Sequence, residues 1–295
     1  MRPSHFFKYY AANIAKIVLA TQKVRWNSPL NFNDPFDCFF SIEPKFDHSL
    51  ATKKLREKLL EILFQNEEPD LHPQNPYFLS IAELRRIAKY MPREKFKKLT
   101  QPVFETFLGS WDSLILSTRE NWKRDASDLR LFCVCETNDN LLLWSHYADN
   151  HTGVAFQFEC VAELDVPLLA AKPVIYSDEA PGMATENEWM QFAVALSPAL
   201  TNGNIWDRLV TTKARVWEYE KEWRAISERR HYENDGYEDV TFHPKEISKV
   251  FFGCQMTDPN KKDVLSLLAG MFAHVEAYQA RQHPKKYQLE FDRIK

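Results

Sequence analysis

Two glutamates separated by one residue, Glu220 and Glu222, are the clearest candidates for catalytic chemistry in this sequence. They lie in residues 217–224, where aromatic and charged side chains alternate with the period of two that is typical of a strand. Both carboxylates would then project from one face, with Lys213 and Arg224 as local cations that relieve their repulsion. Such a pair suits a reaction in which one carboxylate stabilises positive charge on a sugar carbon while the other orients an acceptor. The structural alternative is the solvated face of a strand.

A second group of chemically capable side chains lies in residues 140–158. The pattern predicts a short helix over residues 141–148 that leads into a strand. On this helix Trp144, His146 and Tyr147 bring an indole, an imidazole and a phenol into one neighbourhood. These side chains are either catalytic and ligand-binding groups or half-buried anchors beside a hydrogen-bonded histidine.

Polar residues also concentrate in residues 30–38. Pro35 disfavours helical backbone at Asp34, and the side chains of Asn33 and Asp34 can bond neighbouring backbone groups, so the segment is predicted to be a structured loop. A loop of this kind is expected at the rim of a pocket, where Asn33 and Asp34 are candidates for cofactor binding. The alternative is a tight connection whose side chains hold its own turns.

The composition excludes several classes of protein. The 295 residues include only 7 glycines but 21 phenylalanines, 11 tyrosines and 8 tryptophans, which argues against a glycine-rich phosphate loop. A net charge of −3 gives no global attraction to nucleic acid or to an anionic membrane. The five cysteines are scattered without zinc-site spacing, so reduced thiols and no metal site are expected. The sequence contains neither a signal-peptide pattern nor an apolar run of membrane-spanning length, so we expect a cytoplasmic protein that does not enter a membrane.

Hydrophobic spacing predicts an α+β fold. Strand-like segments occupy both ends of the chain, and helical spacing dominates residues 49–124. We therefore expect a single domain over residues 1–295, with a mostly antiparallel mixed sheet as its core and a helical insertion at 49–124.

Several segments together resemble a bacterial family, the domain of unknown function 2971. They are Lys8-Tyr9-Tyr10, the loop from Phe32 to Asp37, the segment from Leu143 to Asp149 with Gly153, Lys213 with the segment from Trp217 to Arg224, and the closing segment from Val250 to Gly253. The resemblance spans most of the chain outside the helical insertion. Because the family has no assigned activity, it implies none here.

A further resemblance, centred on Glu220-Lys-Glu222, is to ADP-ribosyltransferases. These are small, sheet-rich α+β domains that bind NAD without a glycine-rich loop and carry a late-strand glutamate in a Glu-x-Glu or Gln-x-Glu motif. The resemblance implies that Glu222 binds the nicotinamide ribose, that Glu220 orients the acceptor, and that Tyr9 or Tyr147 stacks on nicotinamide.

The same resemblance implies that Lys8 or Arg224 meets the pyrophosphate of NAD, although Lys8 stands where that family has His or Arg. His146 is a further catalytic candidate that replaces this residue, and Trp144 is a cofactor-binding candidate. The resemblance also implies a toxin or phage-defence effector whose acceptor is a protein, a nucleic acid or water, with an inhibitor or regulator protein as a partner.

Two other functions are compatible with the same residues. The first is a Mg²⁺-dependent nuclease that uses carboxylates near a lysine, namely Asp34, Asp37, Glu220, Glu222 and Lys213. The second is a non-enzymatic ligand-sensing module, in which the aromatic cluster with His146 recognises a ligand and the helical insertion transmits the bound state.

Overall fold

The computed structural model of the protein describes residues 2–38, 47–109, 111–182, 184–198, 203–230 and 236–295. The strands are β1 (His5–Tyr10), β2 (Lys23–Asn27), β3 (Leu129–Cys135), β4 (Val154–Glu159), β5 (Lys172–Pro173), β6 (Ile175–Ser177), β7 (Thr212–Ala214), β8 (Glu222–Glu228), β9 (Tyr237–Thr241), β10 (Ile247–Phe252), β11 (Glu276–Gln282) and β12 (Leu289–Arg293). The helices are α1 (Ala12–Thr21), α2 (His48–Phe64), α3 (Phe78–Ala88), α4 (Arg93–Gly109), α5 (Trp111–Asp128), α6 (Leu141–Tyr147), α7 (Glu186–Ala193), α8 (Gly203–Thr211) and α9 (Asp258–Leu267).

Ten of these strands form one mixed sheet, and β6 and β7 form a separate pair. The main path of the sheet is β12-β11-β10-β4-β1-β3-β2-β9, with β8 paired to β3 and β5 paired to β8. Strands β10 and β11 are parallel, whereas the other neighbours in the sheet are antiparallel. The predicted α+β class with a mostly antiparallel mixed sheet is therefore confirmed.

Strand β3 has very different neighbours on its two edges. Along one edge it pairs with β8 in continuous register from Leu129 to Cys135. Along the other edge it meets β1 at the single pair Phe7↔Cys135 and β2 at the single pair Asn27↔Leu131. Between these two pairs, residues 132–134 face no paired strand on that edge in the described part of the chain. The sheet is open at this point.

The sheet carries a core on each face because successive side chains of a strand point to opposite sides. On one face Phe6, Phe156 and Phe252 are buried in a cluster that includes residues of α1 and α9, two helices in mutual contact. On the other face Phe7 and Phe251 pack in a smaller cluster around α6.

The chain divides into two compact units. Residues 1–37, 125–178 and 213–295 form the first unit, which contains the sheet, and residues 38–124 and 179–212 form the second. The second unit has its own helical core, with Leu60 and Ile81 among its buried residues. Helices are present where the sequence predicts them in residues 49–124, and α4 includes Pro102 within its length.

None of the helices in the described ranges combines the length and the apolar composition needed to cross a membrane.

Candidate functional site

The two glutamates of the Glu-x-Glu motif do not lie on one strand. Residues Arg215–Glu220 form a 3-10 helix, Lys221 adopts a left-handed conformation with φ of 45°, and β8 begins only at Glu222. The prediction of a strand through residues 217–221 is therefore wrong, and the carboxylates of Glu220 and Glu222 do not project from one strand face. The turn at Lys221 instead lets both carboxylates converge on Lys213.

Lys213 lies at the centre of a group of three carboxylates. Its Nζ atom donates to Oε2 of Glu220 at 2.6 Å and to Oε2 of Glu222 at 2.9 Å. The same atom lies 3.6 Å from Oδ2 of Asp37. All four side chains are buried, so these ion pairs form largely out of water, where charges interact more strongly than at an exposed surface.

Arg224 supplies the second cation of this group. Its Nε and Nη2 atoms donate to Glu222 at 2.8 and 3.1 Å, and Nη2 also donates to Oδ2 of Asp37 at 2.7 Å. We refer to Asp37, Lys213, Glu220, Glu222 and Arg224 as the charged cluster. Because buried charges are costly unless they are paired, the mutual ion pairs are what allow this cluster to exist inside the protein.

The pKa values of the two glutamates in the charged cluster are shifted in opposite directions from the ordinary value. Burial alone would raise the pKa of Glu222, but Arg224 and Lys213 outweigh it and hold this pKa well below its ordinary value. Burial raises the pKa of Glu220, and Lys213 only partly offsets that effect while the charge of Glu222 adds to it. Glu222 is therefore a fixed anion, whereas Glu220 is the carboxylate that more readily takes up a proton.

Two tyrosines hold these glutamates in place. The hydroxyl of Tyr147 donates to Oε1 of Glu220 at 2.7 Å, and the hydroxyl of Tyr176 accepts a hydrogen bond of 2.8 Å from the backbone N–H of Glu222. Burial and the nearby charge of Glu220 raise the pKa of Tyr147, which keeps its hydroxyl protonated and available as a donor.

A cavity of about 300 Å³ opens beside the charged cluster. It lies at the open edge of β3, and its lining includes Lys8, Tyr9, Asn31, Asn33, Asp37, Cys133, Cys135, Tyr147, Lys213, Glu220 and Glu222. Lys8 crosses the gap between β1 and β3, where its Nζ donates to the carbonyl oxygen of Cys133 at 2.6 Å. The missing strand pairing of β3 thus creates the space that the charged side chains line.

Residues 143–225 match the family model described as a protein of unknown function (DUF2971). The resemblance to this family is confirmed, and the matched segment contains Tyr147, Lys213, Glu220, Glu222 and Arg224. Among curated proteins and among solved structures, no match to the chain is found. Because the DUF2971 description names no activity, the resemblance to ADP-ribosyltransferases stays a prediction.

Six of the predicted site residues line the cavity, some inside and some outside the DUF2971 segment. They are Lys8, Tyr9, Asn33, Tyr147, Glu220 and Glu222. The hydroxyl of Tyr9 donates to the carbonyl of Thr137 at 2.9 Å, which fixes its ring at the cavity wall. The structure therefore brings together residues from β1, the loop before Cys38, α6 and the Glu-x-Glu motif.

The other four predicted site residues lie away from the cavity lining. Asp34 accepts a hydrogen bond from the backbone N–H of Phe36 at 2.8 Å and shapes its own loop. Trp144 is fully buried, and its Nε1 donates to the carbonyl of Asn138 at 2.7 Å. Arg224 is fully buried behind Glu222.

The fourth, His146, is exposed, and its Nδ1 lies 3.2 Å from the hydroxyl of Tyr219. It stands within a group of aromatic rings that includes Trp217. Its assigned catalytic role stays a prediction, and its place in the structure is outside the cavity lining.

Sequence reasoning gave no site role to Asn31, Cys133 or Cys135, which also line the cavity. The alternation of Cys133 and Cys135 along β3 was the available signal, because it places both thiols on one face of the strand. Burial raises the pKa of Cys135 to about 12, so this thiol is protonated at neutral pH.

The charged cluster also bears on the alternative of a Mg²⁺-dependent nuclease. No group of three or more His, Cys, Asp or Glu side chains with metal-site geometry is found among the described residues. Asp37, Glu220 and Glu222 instead surround the ammonium group of Lys213. A side chain of the protein itself thus supplies a cation that contacts all three carboxylates.

Proposed function

We propose that the cavity binds the nicotinamide riboside end of NAD and that the protein cleaves the bond between nicotinamide and ribose, in the manner of an ADP-ribosyltransferase. The observation that carries this proposal is the pairing of a fixed anion, Glu222, with a second carboxylate of raised pKa, Glu220, at one cavity wall. Two carboxylates whose pKa values are driven apart are typical of sites that stabilise charge with one group and move a proton with the other.

In the first step the glycosidic bond breaks and its electron pair moves to the ring nitrogen, so that neutral nicotinamide leaves. Positive charge then develops on the ribose carbon and its ring oxygen. The carboxylate of Glu222 binds the ribose and stabilises this charge, because Arg224 and Lys213 keep it ionised and fixed in position before the reaction begins.

In the second step an acceptor hydroxyl, amine or water attacks the ribose carbon. Its proton passes to Glu220, whose raised pKa makes it a stronger base than an ordinary carboxylate. The hydroxyl of Tyr147 orients this carboxylate. The net reaction converts NAD and a protonated acceptor into nicotinamide, the ADP-ribosylated acceptor and one released proton.

The dimensions of the cavity fit one end of the dinucleotide. Its volume of about 300 Å³ is at the lower limit for ligand-binding pockets, so the adenosine end of NAD is expected to lie outside it. Tyr9 and Tyr147 supply aromatic rings for the nicotinamide, and Asn33 supplies an amide at the rim. We assign the pyrophosphate to Lys8, because Arg224 has no exposed surface and acts on NAD only through Glu222.

The test is to incubate the purified chain with NAD and to measure nicotinamide release. We expect release by the wild type and a loss of roughly 10²- to 10³-fold in Glu222→Gln. Since this variant removes one of the two carboxylates that pair with the buried Arg224, Tyr147→Phe provides a second test that removes only the hydroxyl bonded to Glu220. His146→Ala tests the catalytic role predicted for His146, and unchanged release in this variant would remove that role from an exposed side chain outside the cavity lining.

Circular dichroism of each variant shows whether a loss of release reflects chemistry or unfolding. If the wild type releases no nicotinamide and gains no thermal stability from NAD, the proposal fails.

A second candidate function is ligand binding without chemistry. It is favoured by the arrangement in which Asp37, Glu220 and Glu222 are all paired with a cation, which makes the cavity wall a rigid, preorganised surface. Thermal stabilisation by NAD without nicotinamide release would support this function over the transferase.

The cellular role that we propose is that of a cytoplasmic toxin or phage-defence effector with a protein or nucleic acid as acceptor, held in check by an inhibitor or regulator protein. This role is tested by expressing the wild type and Glu222→Gln in bacteria. Growth arrest by the wild type alone would support this role. The role would be contradicted if cells that express folded wild-type protein grow normally while their extract consumes NAD.

A further inference from the structure

A second cavity of about 520 Å³ lies in the same unit of the chain and shares no lining residue with the first. It is formed beside the connection between β11 and β12, and the side chains that matter for its chemistry are His151, Cys254, Lys285 and Lys286. Two cationic lysines and no carboxylate are present among the described residues that line it. The cavity is therefore suited to a small anionic molecule.

The backbone that carries His151 is strained. Asp149, Asn150 and His151 have φ values of 46°, 54° and 66°, which is the left-handed region that residues with a Cβ atom adopt only at a cost. Hydrogen bonds hold this turn in place: the N–H of His151 donates to the carbonyl of Trp144 at 3.1 Å, and the N–H of Gln255 donates to the carbonyl of His151 at 3.0 Å. Such strain persists only where the surroundings enforce it, and it is frequent at functional sites.

This turn places the imidazole of His151 between a hydroxyl and a thiol. Its Nε2 lies 3.3 Å from Oγ of Ser145, and its Nδ1 lies 3.8 Å from Sγ of Cys254, within reach of a hydrogen bond to sulfur. A thiol beside an imidazole that is itself oriented by a third polar group is the arrangement of an activated nucleophile.

The protonation states of the pair are consistent with this arrangement. Burial lowers the pKa of His151, with a hydrogen bond to the backbone of Leu141 acting in the opposite direction, and burial raises the pKa of Cys254. At neutral pH the resting pair is therefore a neutral imidazole and a protonated thiol, so His151 is free to accept the proton when the sulfur attacks.

We propose that Cys254 and His151 form a nucleophilic thiol site that reacts with a small anionic electrophile bound by Lys285 and Lys286. In this reaction a bond forms between the sulfur and the electrophilic carbon, and the bond from that carbon to its leaving group breaks. The leaving group takes the electron pair, and the thiol proton passes to His151. The product is a thioether or thioester at Cys254.

The test uses iodoacetate and iodoacetamide, two alkylating reagents that differ in charge, with mass spectrometry of each cysteine in the full chain. Cys160 is the internal control, because it is half-buried and near Arg2 but its described contacts include no imidazole. We expect Cys254 to be alkylated by iodoacetate roughly tenfold or more faster than Cys160.

Two variants separate the proposed roles. His151→Asn removes the base but keeps a residue that tolerates left-handed backbone, and it is expected to slow alkylation of Cys254 by roughly tenfold or more with both reagents. Replacing Lys285 and Lys286 by glutamine is expected to slow the reaction with iodoacetate and to leave the reaction with iodoacetamide unchanged. Equal rates at Cys254 and Cys160, or an unchanged rate in His151→Asn, would overturn the proposal.

Discussion

The carboxylate of Asp37 accepts a hydrogen bond of 2.7 Å from Nη2 of Arg224, with side chains that are only 4% and 0% exposed, respectively. This pair ties the end of the loop before Cys38 to strand β8. Because Arg224 also holds Glu222, the geometry of one cavity wall depends on the loop staying in place.

We expect Asp37→Asn to destabilise the protein by about 3 kcal/mol or more, since it leaves the buried Arg224 with one carboxylate partner fewer. Asp34→Asn is the matched control in the same loop. Asparagine can still accept the hydrogen bond that Asp34 receives from Phe36, so this variant is expected to change the free energy of unfolding by less than about 0.5 kcal/mol. Urea unfolding of both variants measures the difference, and equal stabilities would show that the pair contributes nothing.

The two glutamates are expected to give opposite pH dependences of stability. The pKa of Glu222 is lower in the folded chain than its ordinary value of 4.5, so its stabilisation is present above pH 4.5 and is lost as the pH falls through the folded pKa. The pKa of Glu220 is raised, so its protonated form favours folding below pH 4.5 and this contribution is lost as the pH rises through the folded pKa.

The stability deficit of Glu222→Gln relative to the wild type should therefore shrink as the pH falls below about 4.5. The stability of Glu220→Gln relative to the wild type should instead increase as the pH rises above about 4.5. Thermal or urea unfolding across this pH range gives the stability of each variant relative to the wild type as a function of pH. If the two variants show slopes of the same sign, the assigned pKa shifts of Glu222 and Glu220 are contradicted.

Gly253 should be far less tolerant of substitution than Gly270. A Cβ atom at Gly253 would lie 2.0 Å from the carbonyl oxygen of His151, whereas a Cβ atom at Gly270 would meet no atom within 4 Å. We expect Gly270→Ala to cost about 1 kcal/mol, from its φ of 73° alone, and Gly253→Ala to cost more, because backbone must move. Denaturant unfolding of the two variants gives the ranking, and an equal cost would show that the turn at His151 yields easily.

The local sequence pattern was sufficient for part of the first unit. The predicted short helix over residues 141–148 is present at Leu141–Tyr147, and the strand β4 follows it as expected. These elements bury strongly periodic or continuous apolar residues, so their signal is local. The sequence of strand β9 carries a weaker apolar pattern, because this strand lies at the edge of the sheet and has two acidic residues in Tyr237–Thr241.

The charged cluster was only partly predictable. The sequence indicated that Glu220, Glu222, Lys213 and Arg224 belong together, but the period-two pattern missed the left-handed residue Lys221. Lysine carries no local preference for that conformation, so only tertiary contacts determine it.

The burial of the cluster also depends on a distant part of the chain. The pairing of Asp37 with Arg224 joins residues 187 positions apart, and no local pattern reports such a contact. The cavity beside the cluster arises from a gap in strand pairing, which is likewise a property of the assembled sheet.

The pair of short strands β6 and β7 has a practical consequence for dissecting the protein. The chain leaves the first unit after Asp178 and returns at Lys213, and the two ends of this excursion are joined by the pairing of β6 with β7 and by an ion pair of 2.8 Å between Arg215 and Asp178. Paired strands lie about 5 Å apart, a distance that a turn of two to four residues spans. A short turn would therefore join these two ends, but residues 179–212 also supply Trp189, Val194 and Ala195 to the helical core of the second unit, so their removal leaves that core incomplete.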